Sequence, residues 1–391
     1  MNLTRPNAVT VGSEALGGSD MMDFKLNYDD VSTVPERISL IDSRSQINPY
    51  LDGMLPIWAS PMDTVICEEN IQAFLDNKIN VVIPRNIDFC RRIELAEKYN
   101  VFFAVSIREA EDICRFYEGE LGSTCMRTDH HYNICIDLAQ GHMEWLLNIC
   151  RRLKSLPNAD ITLMTGNIAN PETYIDYEEA GVDYIRVGVG GGSACLTASN
   201  TGVYYPYFSL IKEVYELRKR YGGRAKIIAD GNIKAYRDIQ KALIYADYVM
   251  IGGLFNRAIE SAGKTTYGKS YWNINGNKIF RPLKTLFTYG REIPREKFDK
   301  AFKLFKEGKL VIWKQYRGMS TKEAQKNIDP NAKLKTAEGK VIYQRVEYDL
   351  AGWTENETDF LRSAMSYANS LDLWDYKESM WVINMSISYN R

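Results

Sequence analysis

The chain carries almost no net charge: 49 lysines and arginines stand against 50 aspartates and glutamates, a formal balance of −1. That leaves no electrostatic basis for gripping a nucleic-acid backbone or an anionic membrane surface. No apolar run approaches the length needed to span a bilayer. The opening stretch, MNLTRPNAVTVGSEALGGSD, lacks the apolar core of a secretory signal. Residues 1–27 therefore read as a mobile arm and the protein as cytoplasmic. None of the seven cysteines forms a Cys-x-x-Cys pair, so the usual spacing of a structural zinc site is missing. Scattered cysteines of odd number fit reduced thiols in a large core. The apolar share of 45% and charged share of 25% are ordinary for a globular chain.

From Pro56 onward, short apolar runs alternate with amphipathic stretches. The runs cover residues 56–60, 79–84, 101–105, 133–138, 161–164, 183–187, 226–230 and 247–252. They are continuously apolar rather than alternating, the pattern of parallel strands covered on both faces. Helix-like segments lie between them, such as 68–77, 91–99, 143–153 and 207–221. Successive βα units predict a (β/α)8 TIM barrel, one domain over residues 28–391. A doubly wound open sheet is the alternative. A barrel gathers its chemistry at the C-terminal ends of the strands, and the polar, glycine-rich residues fall there.

The sixth run ends in Gly188-Val189-Gly190-Gly191-Gly192, followed by Ser193, Cys195 and Thr197. Glycines at this density bring backbone N–H groups close to an anion and reach positive φ without steric cost. A loop carrying a passive cysteine is the plain reading; a nucleophile presented at a loop tip is the sharper one. The other strand ends carry Ser60-Pro61-Met62-Asp63, Arg85-Asn86, Asp137, Thr165-Gly166-Asn167, Asp230-Gly231-Asn232 and Gly252-Gly253. Asp63 and Asp137 could equally cap helices. Gly252-Gly253 opens a helix, whose N–H groups suit a phosphate. Asn232 stands at a turn and tolerates left-handed φ. His130 and His131 read as surface residues. Further on, Asn275-Gly276 signals a hairpin, residues 297–306 set Phe298, Ala301, Phe302 and Phe305 on one helical face, and the lysine-rich segment 321–334 reads as a flap.

The string GVGGGSACLT at 188–197, with SPMDTV at 60–65, ADGN at 229–232, YRGMS at 316–320 and AEG at 337–339, resembles the IMP dehydrogenase and GMP reductase family. The likeness spans about residues 28–373, with an insertion at 264–313 as the main gap and a flap at 316–352. It implies that Cys195 attacks carbon 2 of a purine mononucleotide, with Thr197 and Glu338 moving protons. It assigns the nucleotide to Ser60, Met62, Ser193, Asp230, Gly231, Gly252, Gly253, Tyr316, Gly318, Met319 and Ser320. The cofactor, NADPH or NAD, falls to Asp137, Asn167 and Arg186. A potassium ion would rest on the carbonyls of Gly190, Gly192 and Cys195, and the assembly would be a homotetramer.

Two reactions of this family share the cysteine adduct. Between Ser320 and Glu338 there is no arginine and no tyrosine, so the water-activating pair of the dehydrogenases is missing. The stretch between Val105 and Asn133 is too short for the paired regulatory module of many dehydrogenases. Both features favour NADPH-dependent reductive deamination of GMP to IMP. IMP dehydrogenase, a nucleotide-binding barrel without turnover, and a deoxy or modified guanine substrate are the other readings. Arg85 stands where GMP reductases usually carry a lysine, and its role is open.

Overall fold

A computed structural model describes residues 24–122, 125–272, 278–287, 302–308, 310–328, 339–377, 379 and 381–384. After β1 (Val31–Val34) come the eight strands of the sequence pattern: β2 (Ile57–Ala59), β3 (Asn80–Ile83), β4 (Phe102–Val105), β5 (His131–Ile136), β6 (Asp160–Ile168), β7 (Tyr184–Val187), β8 (Lys226–Asp230) and β9 (Tyr248–Ile251). They pair in parallel in chain order, and Ile57–Ala59 pair with Val249–Ile251, which closes the sheet into a barrel. The open-sheet alternative is thereby excluded. Around it lie α1 (Ile71–Asp76), α2 (Phe89–Tyr99), α3 (Ile107–Tyr117), α4 (Glu144–Ser155), α5 (Thr173–Glu179), α6 (Tyr207–Tyr221), α7 (Tyr236–Leu243) and α8 (Leu350–Tyr367).

Local chemistry sets the helix ends. Ser106 accepts from the Glu109 N–H while the Glu109 carboxylate accepts from Ser106, a reciprocal cap that starts α3. Asn100 takes a left-handed φ of 52° to stop α2. On α8, Trp353 packs its ring 4.9 Å from Phe255 and 5.5 Å from Tyr236, which seats this helix behind β9.

The barrel interior is a plug. Trp58, Val82, Phe102, Ala104, Cys135, Met164, Ile228 and Met250 form one buried cluster, joined by Tyr184 and Tyr248. Trp58 meets Phe102 edge-on at 5.2 Å, and Phe102 meets Tyr184 at 5.5 Å. Aromatic pairs in that geometry contribute roughly 0.5–1.5 kcal/mol beyond their burial. Side chains two apart on a strand share a face, so Tyr184 enters the plug and Arg186 lies above it at the mouth.

The insertion and the segment after it form a second sheet. β10 (Thr265–Trp272), β11 (Lys278–Phe287), β12 (Val311–Arg317) and β13 (Val341–Arg345) pair antiparallel in the order β11–β10–β12–β13. Trp272 pairs with Lys278 in the antiparallel register of β10 and β11; Asn275-Gly276 lie outside the described residues. Phe302 and Phe305 pack against Ile259, Ile312 and Val346; Phe298 and Ala301 lie outside the described residues. β14 (Trp381–Asn384) pairs with β1. No described helix is long and apolar enough to cross a membrane.

One expectation fails. Cys90 and Cys125 are joined in a disulfide with Cα atoms 5.4 Å apart, so the cysteines are not all reduced. Cys90 opens α2 and Cys125 stands in the segment before β5; their sequence separation of 35 gives no hint of the pairing. Cys114, Cys135 and Cys150 are free and buried, whereas Cys67 and Cys195 are free and partly exposed.

Candidate active site

The mouth of the barrel opens into a cavity of about 520 Å³ lined from several strand ends. Ser60, Met62, Asp137, Asn167, Arg186, Gly192, Ser193, Cys195, Thr197, Asp230, Gly231, Gly252, Gly253, Tyr316, Gly318, Met319 and Ser320 all line it. Of the residues singled out from sequence, Gly190 is not among the lining set, and Glu338 lies outside the described residues.

The cysteine loop lies on a tyrosine. The Gly191 N–H donates to the Tyr207 hydroxyl at 2.8 Å, and a Cβ at Gly191 would come within 2.4 Å of that ring. Only glycine lets the backbone approach so closely. Asn232 donates its N–H to the Gly191 carbonyl at 3.1 Å and has a φ of 57°, the left-handed turn expected of it. The Cys195 N–H closes a turn onto the Gly192 carbonyl at 2.8 Å, and the Cys195 thiol donates to Thr197 Oγ1 at 3.3 Å. Gly339 pairs antiparallel with Cys195, and Lys340 N donates to the Ala194 carbonyl at 2.9 Å. The returning end of the flap thus lies across the cysteine loop.

Beneath the loop, charges alternate. Arg85 Nε meets Asp137 Oδ2 at 3.3 Å, and Arg186 Nη1 meets Asp137 Oδ1 at 2.8 Å. Arg186 also grips Asp230 Oδ2 through Nε at 2.9 Å and Nη2 at 2.8 Å. Asn167 Nδ2 donates to the same oxygen at 2.8 Å and to the Gly188 carbonyl at 3.0 Å. Burial pushes the Asp137 carboxyl up, but Arg186 first and Arg85 second outweigh it and hold it below the usual carboxylate range. Asp137 and Asn167 therefore sit in one network with Asp230, rather than in separate cofactor and nucleotide clusters.

The opposite wall is built around two glycines. A Cβ at Gly252 would meet Met62 Sδ and Tyr316 Oη, each at 2.8 Å. Burial pushes the Tyr316 hydroxyl well up, so it stays protonated and able to donate. The helix that follows is a single turn, Gly253–Asn256. Arg317 is buried and paired with Asp63 and, at 3.3 Å, with Glu323, which ties the end of β12 to the loop after β2. Sequence reasoning missed that pairing, along with Lys234, Arg257, Gln325 and Gln344, which also line the cavity. No motif marks them; they reach the cavity from loops, from the helix Lys322–Ile328 and from the added sheet. His142 is exposed and accepts the Ala169 N–H at 2.9 Å, a loop contact away from the cavity.

A closed barrel with a thiol on a glycine bed, above paired carboxylates and guanidinium groups at the strand ends, defines an enzyme that binds a small ligand at the mouth of a TIM barrel. A family model of the IMP dehydrogenase / GMP reductase domain matches residues 125–308. A GMP reductase of Staphylococcus epidermidis is 31% identical over 259 residues, covering 63% of this chain and 76% of its own. A GMP reductase of Streptococcus suis is 30% identical over 285 residues, 66% of this chain and 83% of its own. That of Staphylococcus carnosus is 27% identical over 374 residues, 93% of this chain and 98% of its own. The chain belongs to the IMP dehydrogenase/GMP reductase family and is an oxidoreductase.

Proposed function

We propose that this enzyme deaminates GMP reductively to IMP and ammonia with NADPH, through a covalent adduct of Cys195 at purine carbon 2. The observation that carries the reading is the Cys195 thiol within 3.3 Å of the Thr197 hydroxyl, on a glycine bed lining the cavity. The relatives named GMP reductase and the absence of arginine and tyrosine between Ser320 and Glu338 support the choice over IMP oxidation.

The Cys195 sulfur, as thiolate, forms a bond to carbon 2 of the bound guanine. Thr197, assisted by Glu338, passes a proton to the exocyclic amine, and the carbon–nitrogen bond breaks as ammonia leaves. NADPH, when bound, supplies the hydride that carbon 2 requires. The sulfur then leaves with its electron pair, and IMP is released. Asp230, with Oδ1 uncommitted among the described residues, accepts from a ribose hydroxyl. Ser60, Met62, Gly318, Met319 and Ser320 enclose the base, and Gly231, Gly252, Gly253, Ser193 and Tyr316 surround the phosphate. Asp137, Asn167 and Arg186 would hold the nicotinamide half. Arg186 and Arg85 keep Asp137 ionised, so it accepts hydrogen bonds from hydroxyl groups and donates none. Carbonyls of Gly190, Gly192 and Cys195 are the donor type a potassium ion takes. A homotetramer in the cytoplasm completes the proposal.

Purified protein given GMP plus NADPH should consume NADPH and release ammonia, and Cys195→Ala should lose turnover by at least a thousandfold while still binding GMP. Rapid oxidation of IMP with NAD and no reaction with GMP would reverse the choice in favour of the dehydrogenase. Equal activity in the Cys195→Ala variant would remove the adduct from the mechanism.

A further inference from the structure

The glycines opposite Cys195 do not make a phosphate site by themselves. A helix N-terminus holds an anion through aligned peptide dipoles and unpaired N–H groups, yet the helix here is one turn of four residues, Gly253–Asn256. Side chains must supply what the helix cannot. Three polar groups from separate elements meet over Gly253: a Cβ there would find Ser193 Oγ at 3.1 Å, Tyr316 Oη at 3.8 Å and Gln344 Nε2 at 3.9 Å. Ser193 belongs to the cysteine loop and Tyr316 to β12. Gln344 comes from β13, in the antiparallel sheet beside the barrel.

The Gln344 side chain has no hydrogen-bond partner among the described residues, and its Oε1 is buried and unpaired. A half-buried amide left without partners is costly, and an acceptor brought into the cavity would engage its N–H2 end. Arg257, which ends the one-turn helix, lines the same cavity. Its ion-pair partner is Glu347, at 3.4 Å, with side chains 36% and 48% exposed. Such an exposed pair contributes about 0–1 kcal/mol, so a phosphate can compete for the guanidinium. The other arginines lining the cavity, Arg85 and Arg186, are committed to Asp137 and Asp230.

We propose that Gln344 and Arg257 are phosphate-binding residues of this chain, which complete over Gly253 a subsite for the 5′-phosphate dianion of the ligand. The inference rests on a nucleotide occupying the cavity, but not on which purine it carries or on the chemistry at Cys195. Gln344 directs one neutral donor, and Arg257 a charged one. The antiparallel sheet thereby takes part in ligand recognition.

The test is calorimetric titration of the full-length protein, and of Gln344→Ala, Arg257→Ala and Arg257→Lys, with ribose 5-phosphate, GMP and guanosine. Each alanine variant should weaken ribose 5-phosphate and GMP at least fivefold and leave guanosine within twofold. Arg257→Lys should recover part of the loss. In turnover, KM for GMP should rise by the same factor with kcat within twofold. Wild-type protein that does not bind ribose 5-phosphate overturns the proposal, as do alanine variants with unchanged affinity or an equal loss for guanosine. If ribose 5-phosphate binding weakens as expected while GMP is never reduced, the phosphate subsite stands and the assignment of GMP reduction falls.

Discussion

Arg186 illustrates what a single side chain does at the mouth of this barrel. Its guanidinium is 7% exposed, holds Asp137 and Asp230 at once, and lies with Nη1 3.8 Å from the Cys135 sulfur at the top of the plug. Arg186→Met keeps the length and removes the charge, which leaves the buried Asp137 and the partly buried Asp230 short of a partner. Removing one member of a buried ion pair costs about 3–5 kcal/mol, and urea denaturation at neutral pH should show a loss of that order. The folded Asp137 carboxyl titrates below its unfolded value of about 3.9. Its stabilisation is therefore fully present above that value and is lost as pH falls through the folded pKa. The gap between wild type and Arg186→Met should narrow as pH falls from about 5 to 3; a gap that stays constant there would mean that the arginine acts through packing alone. At this scale the sequence was legible where chemistry is local. Cys195, Thr197 and the glycines are read within ten residues, and Asp230 within a short motif. The Arg186–Asp137 pair joins residues on two strands, 49 positions apart, and Gln344 reaches the cavity from another sheet, so no motif announced either.

Among the elements, β12 shows the most tension between burial and charge. Lys314 is 1% exposed, and its Nζ donates to the carbonyls of Ile259, at 2.7 Å, and Ser261. Burial lowers it from 10.5 to about 7, against a smaller opposing pull from Glu260. Between those two values the unfolded chain holds a proton that the folded chain has released. Stability should therefore rise with pH from 7 toward 10, by at most about 1.4 kcal/mol per pH unit, and reach its full Lys314 penalty below 7. Lys314→Met should flatten that rise in denaturation series at pH 7, 8 and 9. An unchanged slope in the variant would assign the effect to other groups. The disulfide is a second feature of element scale, since it ties the start of α2 to the segment before β5. Thiol titration of denatured, unreduced protein should count five groups, the seven cysteines of the sequence less the paired two, and seven after reduction. The barrel strands were visible in advance because buried parallel strands write continuous apolar runs. The disulfide was not, because spacing carries no information on pairing across a fold.

On the scale of the whole molecule, one face is apolar beyond what a lone barrel needs. Phe360 and Tyr367 on α8, then Leu371 and Trp374, are between 48% and 64% exposed, and Ile38 and Leu40 are 68% and 79% exposed. These segments run together: Glu36 N donates to the Tyr367 carbonyl at 2.9 Å, and Leu40 N to Asn369 Oδ1 at 2.8 Å. Isolated exposed apolar residues are ordinary, but a contiguous set is the mark of a contact surface. Beside it a cavity of about 680 Å³, lined by Tyr236, Arg237, Lys241, Phe360 and Tyr367, offers a recess for a partner side chain. The proposed homotetramer would cover such a surface with a second copy, since self-association of one patch is the commonest route to a closed assembly. Light scattering coupled to size exclusion should give a multiple of the 44.8 kDa chain mass for wild type. Tyr367→Asp combined with Trp374→Asp, both far from Cys195 in the sequence and absent from the cavity lining, should return the mass to a single chain by placing charge in a desolvated interface. If wild-type protein already elutes as one chain, the face is not covered by a second copy; if the double variant stays assembled, the contact lies elsewhere on the barrel.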